Sequence, residues 1–233
     1  PSGDPGTPAV SIIVLNLDGG ELLQRLLASL EAHRPQVPFE VIVVDHGSTD
    51  GSEQVVARHA RQLPLRWLPR GRNYSFSESN NHAAAAARGQ FLLFLNNDIE
   101  LTQDVVTPMV RHFQDEGVGA VGIRLLEPVV DATGATRFVP HHEAVYFDAG
   151  LAADETQSYT YLPVEVASLR SGLGGPHTGP AVAAALAMCR KQDFDAVGGF
   201  SQAYVYGLED VDLCWMIWTR LGKRVVSDTS IES

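Results

Sequence analysis

Cysteine is nearly absent. The 233 residues hold two, Cys189 and Cys214, too few for a disulfide scaffold or a cysteine-built zinc site. Both lie in apolar surroundings and read as buried free thiols in a reducing compartment. No apolar run approaches the roughly 20 residues that span a bilayer, and no secretory leader is recognisable. The chain therefore reads as cytoplasmic, at most peripheral to the inner face of the membrane. Basic residues are scarce too: 17 Lys and Arg against 28 Asp and Glu give a formal net charge of −11. Nucleic acid needs a basic surface, so it is excluded as a partner. A single anionic small molecule is not, because a metal ion can supply positive charge locally. Repeats and low-complexity tracts are missing; the run Ala83 to Ala87 is simply good helix former.

What is present suits one folded domain with a real core, since hydrophobic residues make up 45% of the chain. Residues 1–8 are a Pro- and Gly-rich lead-in and are expected to be flexible. Beyond them, strand and helix signals alternate. Val10 to Leu15, Phe39 to Val44 and Phe91 to Leu95 are short continuous apolar runs, the mark of buried parallel strands. Leu65 to Leu68 is a weaker fourth. Between them the spacing predicts helices over Glu21 to His33, Ser52 to Leu63 and Glu78 to Arg88. Asp50 and Glu53 are placed as a capping box for the second. Thr102 to Gln114 has helical period, with a kink expected at Pro108. Residues 127–178 are irregular and too long for a passive loop. Ala181 to Met188 reads as another strand, Lys191 to Val197 as a short helix, and Glu209 to Leu221 as a last helix closed by Gly222. The fold class is α/β: a Rossmann-like, mostly parallel central sheet with helices on both faces.

Ligands of such sheets bind beyond the carboxyl ends of the strands. Three polar clusters fall there: Asn16-Leu17-Asp18, Asp45-His46-Gly47 and Asn96-Asn97-Asp98. Asp98 is a turn residue or a ligand for a hard divalent cation, whose shell a diphosphate could complete. Asn96 could offer its amide oxygen. Asp45 precedes the next helix by several residues, so a carboxylate there can accept a hydrogen bond from a base or ribose. Glu209, Asp210 and Asp212 exceed what a helix start needs, and like charges this close raise one another's pKa, which suits a general base. The pair His141 and His142 reads as surface, and His82 as packing.

Six strings carry a resemblance: VSIIVLNLDGG, VIVVDHGSTDGS, RNYSFSESNNHAA, FLLFLNNDIEL, TGPAVAAALAMCRKQDFDAVGGF and VYGLEDVDLCWMIW. In this order and spacing, from about Val10 to Val226, they resemble the family 2 glycosyltransferases. The resemblance implies a GT-A fold and an inverting transfer of sugar from a nucleotide-sugar donor to a hydroxyl of a glycan, lipid-linked or protein acceptor. The transfer would serve cell-surface polysaccharide or glycan synthesis. It implies that Asn16 contacts the nucleotide, that Asp45 reads the base, and that Asn73 and Asn81 flank the donor. Asn96-Asn97-Asp98 stands at the DXD metal motif, with Asp98 on a Mn²⁺ or Mg²⁺ ion. Glu209-Asp210 matches the acid pair, whose second member is the base for the acceptor hydroxyl, and Thr178-Gly179 precedes a strand facing the acceptor.

Residues 9–233 then form one domain, with a donor half at 9–122 and an acceptor half at 123–233. Asn96 replaces the first acid of DXD, and Asp18 and His46 stand where Asn is more common. Family members commonly carry a His shortly after the position of Ser233, which can complete the metal site, so the chain is expected to be truncated there or to be one domain of a larger protein, with a final ligand missing. Two alternatives remain: a non-catalytic module that binds nucleotide-sugar or glycan, and a sugar-phosphate nucleotidyltransferase. The second would want a basic, Gly-rich phosphate loop, and Asn16 to Gly20 has no basic residue near it before Arg25. No GxGxxG follows a strand, which counts against a dinucleotide-dependent dehydrogenase.

Overall fold

The structure is a computed structural model and describes residues 6–131, 133–142, 144, 175–204 and 207–233. Most of the expected lead-in, and residues 132, 143 and 145–174 of the long irregular segment, lie outside the described residues.

The apolar runs pair as expected. Strands β1 (Val10–Asn16), β2 (Phe39–Asp45), β3 (Leu65–Pro69) and β4 (Phe91–Leu95) lie in the order β3-β2-β1-β4, all parallel. Successive side chains of a strand point to opposite faces. Ile12, Val14, Val41 and Val43 therefore pack with the helices α1 (Gly20–Ala32), α2 (Ser52–His59) and α4 (Val106–His112). Ile13, Ile42 and Val44 pack on the other face with α3 (Phe76–Ala86), α5 (Lys191–Val197) and α6 (Glu209–Leu221). With apolar residues buried on both faces, these strands need no alternation.

The sheet continues past β4. Strand β8 (Leu186–Arg190) enters antiparallel between β4 and β5 (Val118–Val130). Strand β9 (Arg224–Glu232) runs parallel to β5, and β7 (Pro176–Gly179) closes that edge. Strand β6 (Thr136–His142) forms a hairpin with the overhanging end of β5. The order of the main path is β3-β2-β1-β4-β8-β5-β9-β7, so one sheet runs through both halves of the chain, and the boundary expected after residue 122 falls inside β5.

Four sequence expectations change, each for a physical reason. The helix expected from Thr102 to Gln114 shrinks to α4. Pro108 then falls in the first turn, where backbone N–H groups have no intrahelical acceptor, so no kink is needed. Asp104 instead accepts from the Thr107 N–H at 3.0 Å. The capping box does not form: Gly51 caps α2 in the left-handed region, and Asp50 accepts from Ser52 N and from Gly20 N at the start of α1, tying the two helix starts together. Ala181 to Ala185 is packed without being a regular strand. Val182 sits where a side chain at Gly122 would be, 2.6 Å from an ideal Cβ, so its burial comes from β5 rather than from a ladder. The irregular segment from 127 contains part of a hairpin, β5 and β6. The thiols are buried and free, and burial pushes Cys214 up to about 12 and Cys189 well above its ordinary value.

Candidate active site

Register brings the polar clusters level. Asn16 pairs with Asp45 across β1 and β2, and Ile13 pairs with Phe94 across β1 and β4. Asn16, only 2% exposed, is the hub. Its Nδ2 donates to Asp45 Oδ1 at 3.3 Å and to Ser48 Oγ at 3.1 Å, and its Oδ1 accepts from Asn97 Nδ2 at 3.1 Å. Three strand ends are thus joined through one amide. Gly19 closes over this amide pair: a Cβ there would lie 2.5 Å from Asn97 Nδ2 and 2.9 Å from Asn16 Oδ1. Gly19→Ala is expected to break the Asn97 bond and lower stability by about 1–3 kcal/mol, or roughly 2–4 °C of Tm per kcal/mol. Thermal unfolding measures this, and an unchanged Tm would contradict the packing.

Asp45 is buried and fully engaged. Besides Asn16, it accepts from Gly47 N and Ser48 N at 3.0 Å each and from Ser48 Oγ. Four bonds fill the roughly four acceptor positions of a carboxylate, so Asp45 organises the turn after β2. Asp18 zips the same turn to the β1 end. Its N–H donates to Ser48 Oγ at 2.9 Å and its Oδ1 accepts from Thr49 N at 2.6 Å, with φ at 46°. Ser48, in the turn after β2, bonds to all three of Asn16, Asp45 and Asp18.

His46 connects this turn to α3. It is buried, with Nε2 2.7 Å from Ser79 Oγ, and a side-chain hydrogen bond joins it to the exposed Asn73. Burial pulls the imidazole below its ordinary pKa and the charge of Arg70 adds to this, while the Asn73 bond and Asp45 act the other way. Asn81 stands apart. Its Nδ2 donates to Phe200 O at 2.8 Å and its Oδ1 accepts from Phe200 N at 2.9 Å, a two-point clamp of α3 on the turn after α5. No local pattern predicts a partner 119 residues away.

The acid pair opens α6 behind Leu208, whose φ of 74° is the other positive value outside glycine among the described residues. Such a conformation costs roughly 1–2 kcal/mol in a residue with a Cβ. Burial pushes the Glu209 carboxyl above its usual range, and Asp210 beside it adds to the rise; backbone bonds at Glu209 and Gly207 oppose it. Asp210 Oδ2 accepts from Ala184 N at 3.0 Å, and Oδ1 from Val211 N at 2.8 Å. The next residue, Ala185, accepts at its carbonyl from Asn96 N at 2.9 Å. Two adjacent residues of one backbone thus link the α6 acid to the β4 end. Asp212 faces elsewhere, within 3.5 Å of the Tyr204 hydroxyl.

Asp98 is exposed and lines a cleft of about 280 Å³ with Arg25, Thr102, Phe138 and Ser233. Ser233 is anchored beside it, its Oγ donating to Glu100 O at 3.1 Å. A wider open cleft of about 790 Å³ lies between the starts of α1 and α2 and touches the strand-end group only through Asp18 and Gly19. Among the described residues no group of three His, Cys, Asp or Glu side chains could hold a metal. One exposed carboxylate with amide oxygens nearby does fit a Mg²⁺ or Mn²⁺ ion, which commonly takes one or two carboxylates and leaves the remainder to phosphates and water.

Residues 11–162 match the model of the family described as Glycosyl transferase family 2. The O-antigen biosynthesis protein RfbC of Myxococcus xanthus is 32% identical over 217 residues, 89% of this chain and 16% of that protein. A mannosyltransferase from Pyrobaculum calidifontis, solved with GDP-Man and Mn²⁺, superposes with a TM-score of 0.69 at 19% identity over 98% of this chain and 56% of that one. GalNAc-T7, solved with UDP, GalNAc and Mn²⁺, gives 0.66 at 16% identity over 96% and 43%. The chain therefore spans about half of these solved chains and a small part of that curated relative. It belongs to glycosyltransferase family 2 and has the GT-A fold. No helix among the described residues is long and apolar enough to cross a membrane.

Proposed function

We propose that this domain moves a sugar from a nucleoside-diphosphate sugar to an acceptor hydroxyl by a single inverting displacement. The observation that carries the reading is the link through Ala184 and Ala185, which couples the Asp210 carboxylate to the Asn96-Asn97-Asp98 turn. A base for the acceptor and a seat for the diphosphate need such a fixed relation, because catalysis by positioning is lost with small displacements.

Asn16 and the turn organised by Asp45 receive the nucleoside, with Asn73, held by His46, beside them. Asn81 supports the site from behind by clamping Phe200. Asn96, Asn97 and Asp98 face the diphosphate. A divalent cation held by Asp98 and the donor phosphates would neutralise charge on the leaving group. Asp210 takes the proton from the acceptor hydroxyl as it attacks, and Ala184 N–H holds its carboxylate in place. Glu209, with its raised pKa, is the next candidate. The acceptor belongs to a surface polysaccharide or another glycan, in line with the O-antigen relative.

Thermal unfolding against a panel of nucleoside diphosphates, with and without Mn²⁺ or Mg²⁺, tests the donor half of this reading. A ligand at a hundred times its Kd stabilises by about 2.7 kcal/mol, a Tm rise of roughly 5–10 °C for a domain of this size. No rise with any diphosphate would remove the reading.

A further inference from the structure

Helix α6 carries a ridge that starts at the acid pair and ends in two open indoles. Glu209, Asp212, Trp215 and Trp218 are spaced by three, and such a row runs obliquely down a helix, at about 45° to its axis. Glu209 and Asp212 are half-buried, whereas Trp215 and Trp218 are 47% and 54% exposed. The two indoles meet edge to face, with ring centroids 5.3 Å apart and planes at 80°. The other exposed large hydrophobics among the described residues, Leu17, Val130 and Phe138, stand on other elements. Beside the ridge, the Tyr204 hydroxyl donates to Asp212 Oδ1 at 3.5 Å.

Size and charge decide what this face can hold. About half of each indole is open, roughly 100 Å² apiece. A stable protein partner covers about 800 Å², so two rings are too little for a second copy of the chain or another folded protein. An anionic lipid surface calls for basic residues, and the ridge carries two carboxylates instead. Arg220, the base of the last turn, points about 140° away from Trp215 around the helix. The face suits a neutral ligand with a flat apolar side and hydroxyls at its rim. A pyranose is such a ligand: its C–H groups carry slight positive charge and lie on the negative face of an indole, while its hydroxyls can donate to Asp212.

We propose, on the basis of the glycosyl-transfer reading above, that Trp215 and Trp218 hold a neutral acceptor glycan several sugars back from the hydroxyl that reacts. Trp215 lies about 7.5 Å along the helix from Asp210 and points about 140° away from it. The indoles therefore do not touch the reacting sugar. The ridge supplies the path between the two places: Glu209 adjoins Asp210, Asp212 follows one turn on, and the indoles come after it. Aromatic side chains have few rotors to freeze, so rings already set edge to face bind at small entropic cost. The platform selects acceptors that are neutral and already several sugars long over a monosaccharide.

Proton–nitrogen NMR tests this, because each tryptophan gives one indole signal and the chain has three. Trp67, half-buried in β3, is the internal reference. Titration with maltohexaose, mannohexaose and chitohexaose, without nucleotide or metal, is expected to shift the Trp215 and Trp218 signals with at least one of the three and to leave Trp67 in place. Trp215→Ala, read on the Trp218 signal, and Trp218→Ala, read on the Trp215 signal, each weaken that binding by at least about tenfold. Where an Ala variant fails to fold, Trp215→Leu or Trp218→Leu, which fills space without an aromatic face, replaces it. No shift with any of the three sugars overturns the proposal, as does a shift confined to Trp67 or an affinity that survives both substitutions. A chain that sediments as a dimer, and as a monomer with both tryptophans replaced, assigns the face to a second copy and overturns it too. With no nucleotide present, failure here is read apart from failure of the donor reading, which the diphosphate panel tests.

Discussion

Replacing Asp210 with Asn is expected to lower sugar transfer by roughly 10²-fold or more, the usual loss on removing a general base, while donor affinity stays nearly unchanged. An acceptor hydroxyl is a weak nucleophile at neutral pH and needs a positioned base as its proton leaves. Asn keeps the shape of the side chain and can still accept from Ala184 N through its oxygen. It cannot also accept from Val211 N through its amide nitrogen, so a modest loss of stability accompanies the change, about 1–3 kcal/mol. Tm and donor affinity are measured beside turnover to separate the two effects. Asp212→Asn should behave in the opposite way, lowering Tm more than rate, because its carboxylate faces Tyr204 rather than the β4 end. An Asp210→Asn enzyme with near-normal turnover removes Asp210 as the base and transfers the role to Glu209, whose raised pKa already sets it apart.

The second large effect concerns Asp98. Calorimetry is expected to show a nucleoside diphosphate binding more tightly with Mn²⁺ or Mg²⁺ than without, and Asp98→Ala to erase that difference. A Lewis-acid contribution of several kcal/mol corresponds to a transfer loss of roughly 10²–10³-fold or more. A cation beside an acidic chain of net charge −11 favours a bound diphosphate, and Asp98 is an exposed acid just past the end of β4. Equal affinity with and without metal in the unaltered chain would sink the idea. The same titration on a chain extended past Ser233 shows whether following residues add a ligand, since Ser233 is anchored at Glu100 and Leu126 beside the cleft that Asp98 lines.

Much of this site could be read along the chain. Continuous apolar runs ending in Asn16, Asp45 and Asn96 located three strand ends, because a strand buried on both faces leaves its polar residues at its tip. The α6 acids stood out by density alone. What escaped was what depends on distant partners. Asn81 had no local signature of its clamp on Phe200, and Asp50 bonds to Gly20 of another helix rather than capping only its own. The run from Ala181 was apolar for a reason lying in β5, where Gly122 leaves room for Val182. Ser48 has no local signal for its bonds to β1 and β2, which arise only where the turns after those strands meet. Leu208 in the left-handed region could not be anticipated, since a leucine carries no signal for it.

The most direct test of the mechanism needs no acceptor. Proton NMR can follow the sugar released when the domain, with Mn²⁺, hydrolyses an α-linked nucleoside-diphosphate sugar, before mutarotation mixes the anomers. A single displacement, with water activated by Asp210, predicts the β anomer as the first product. The α anomer formed first would contradict it.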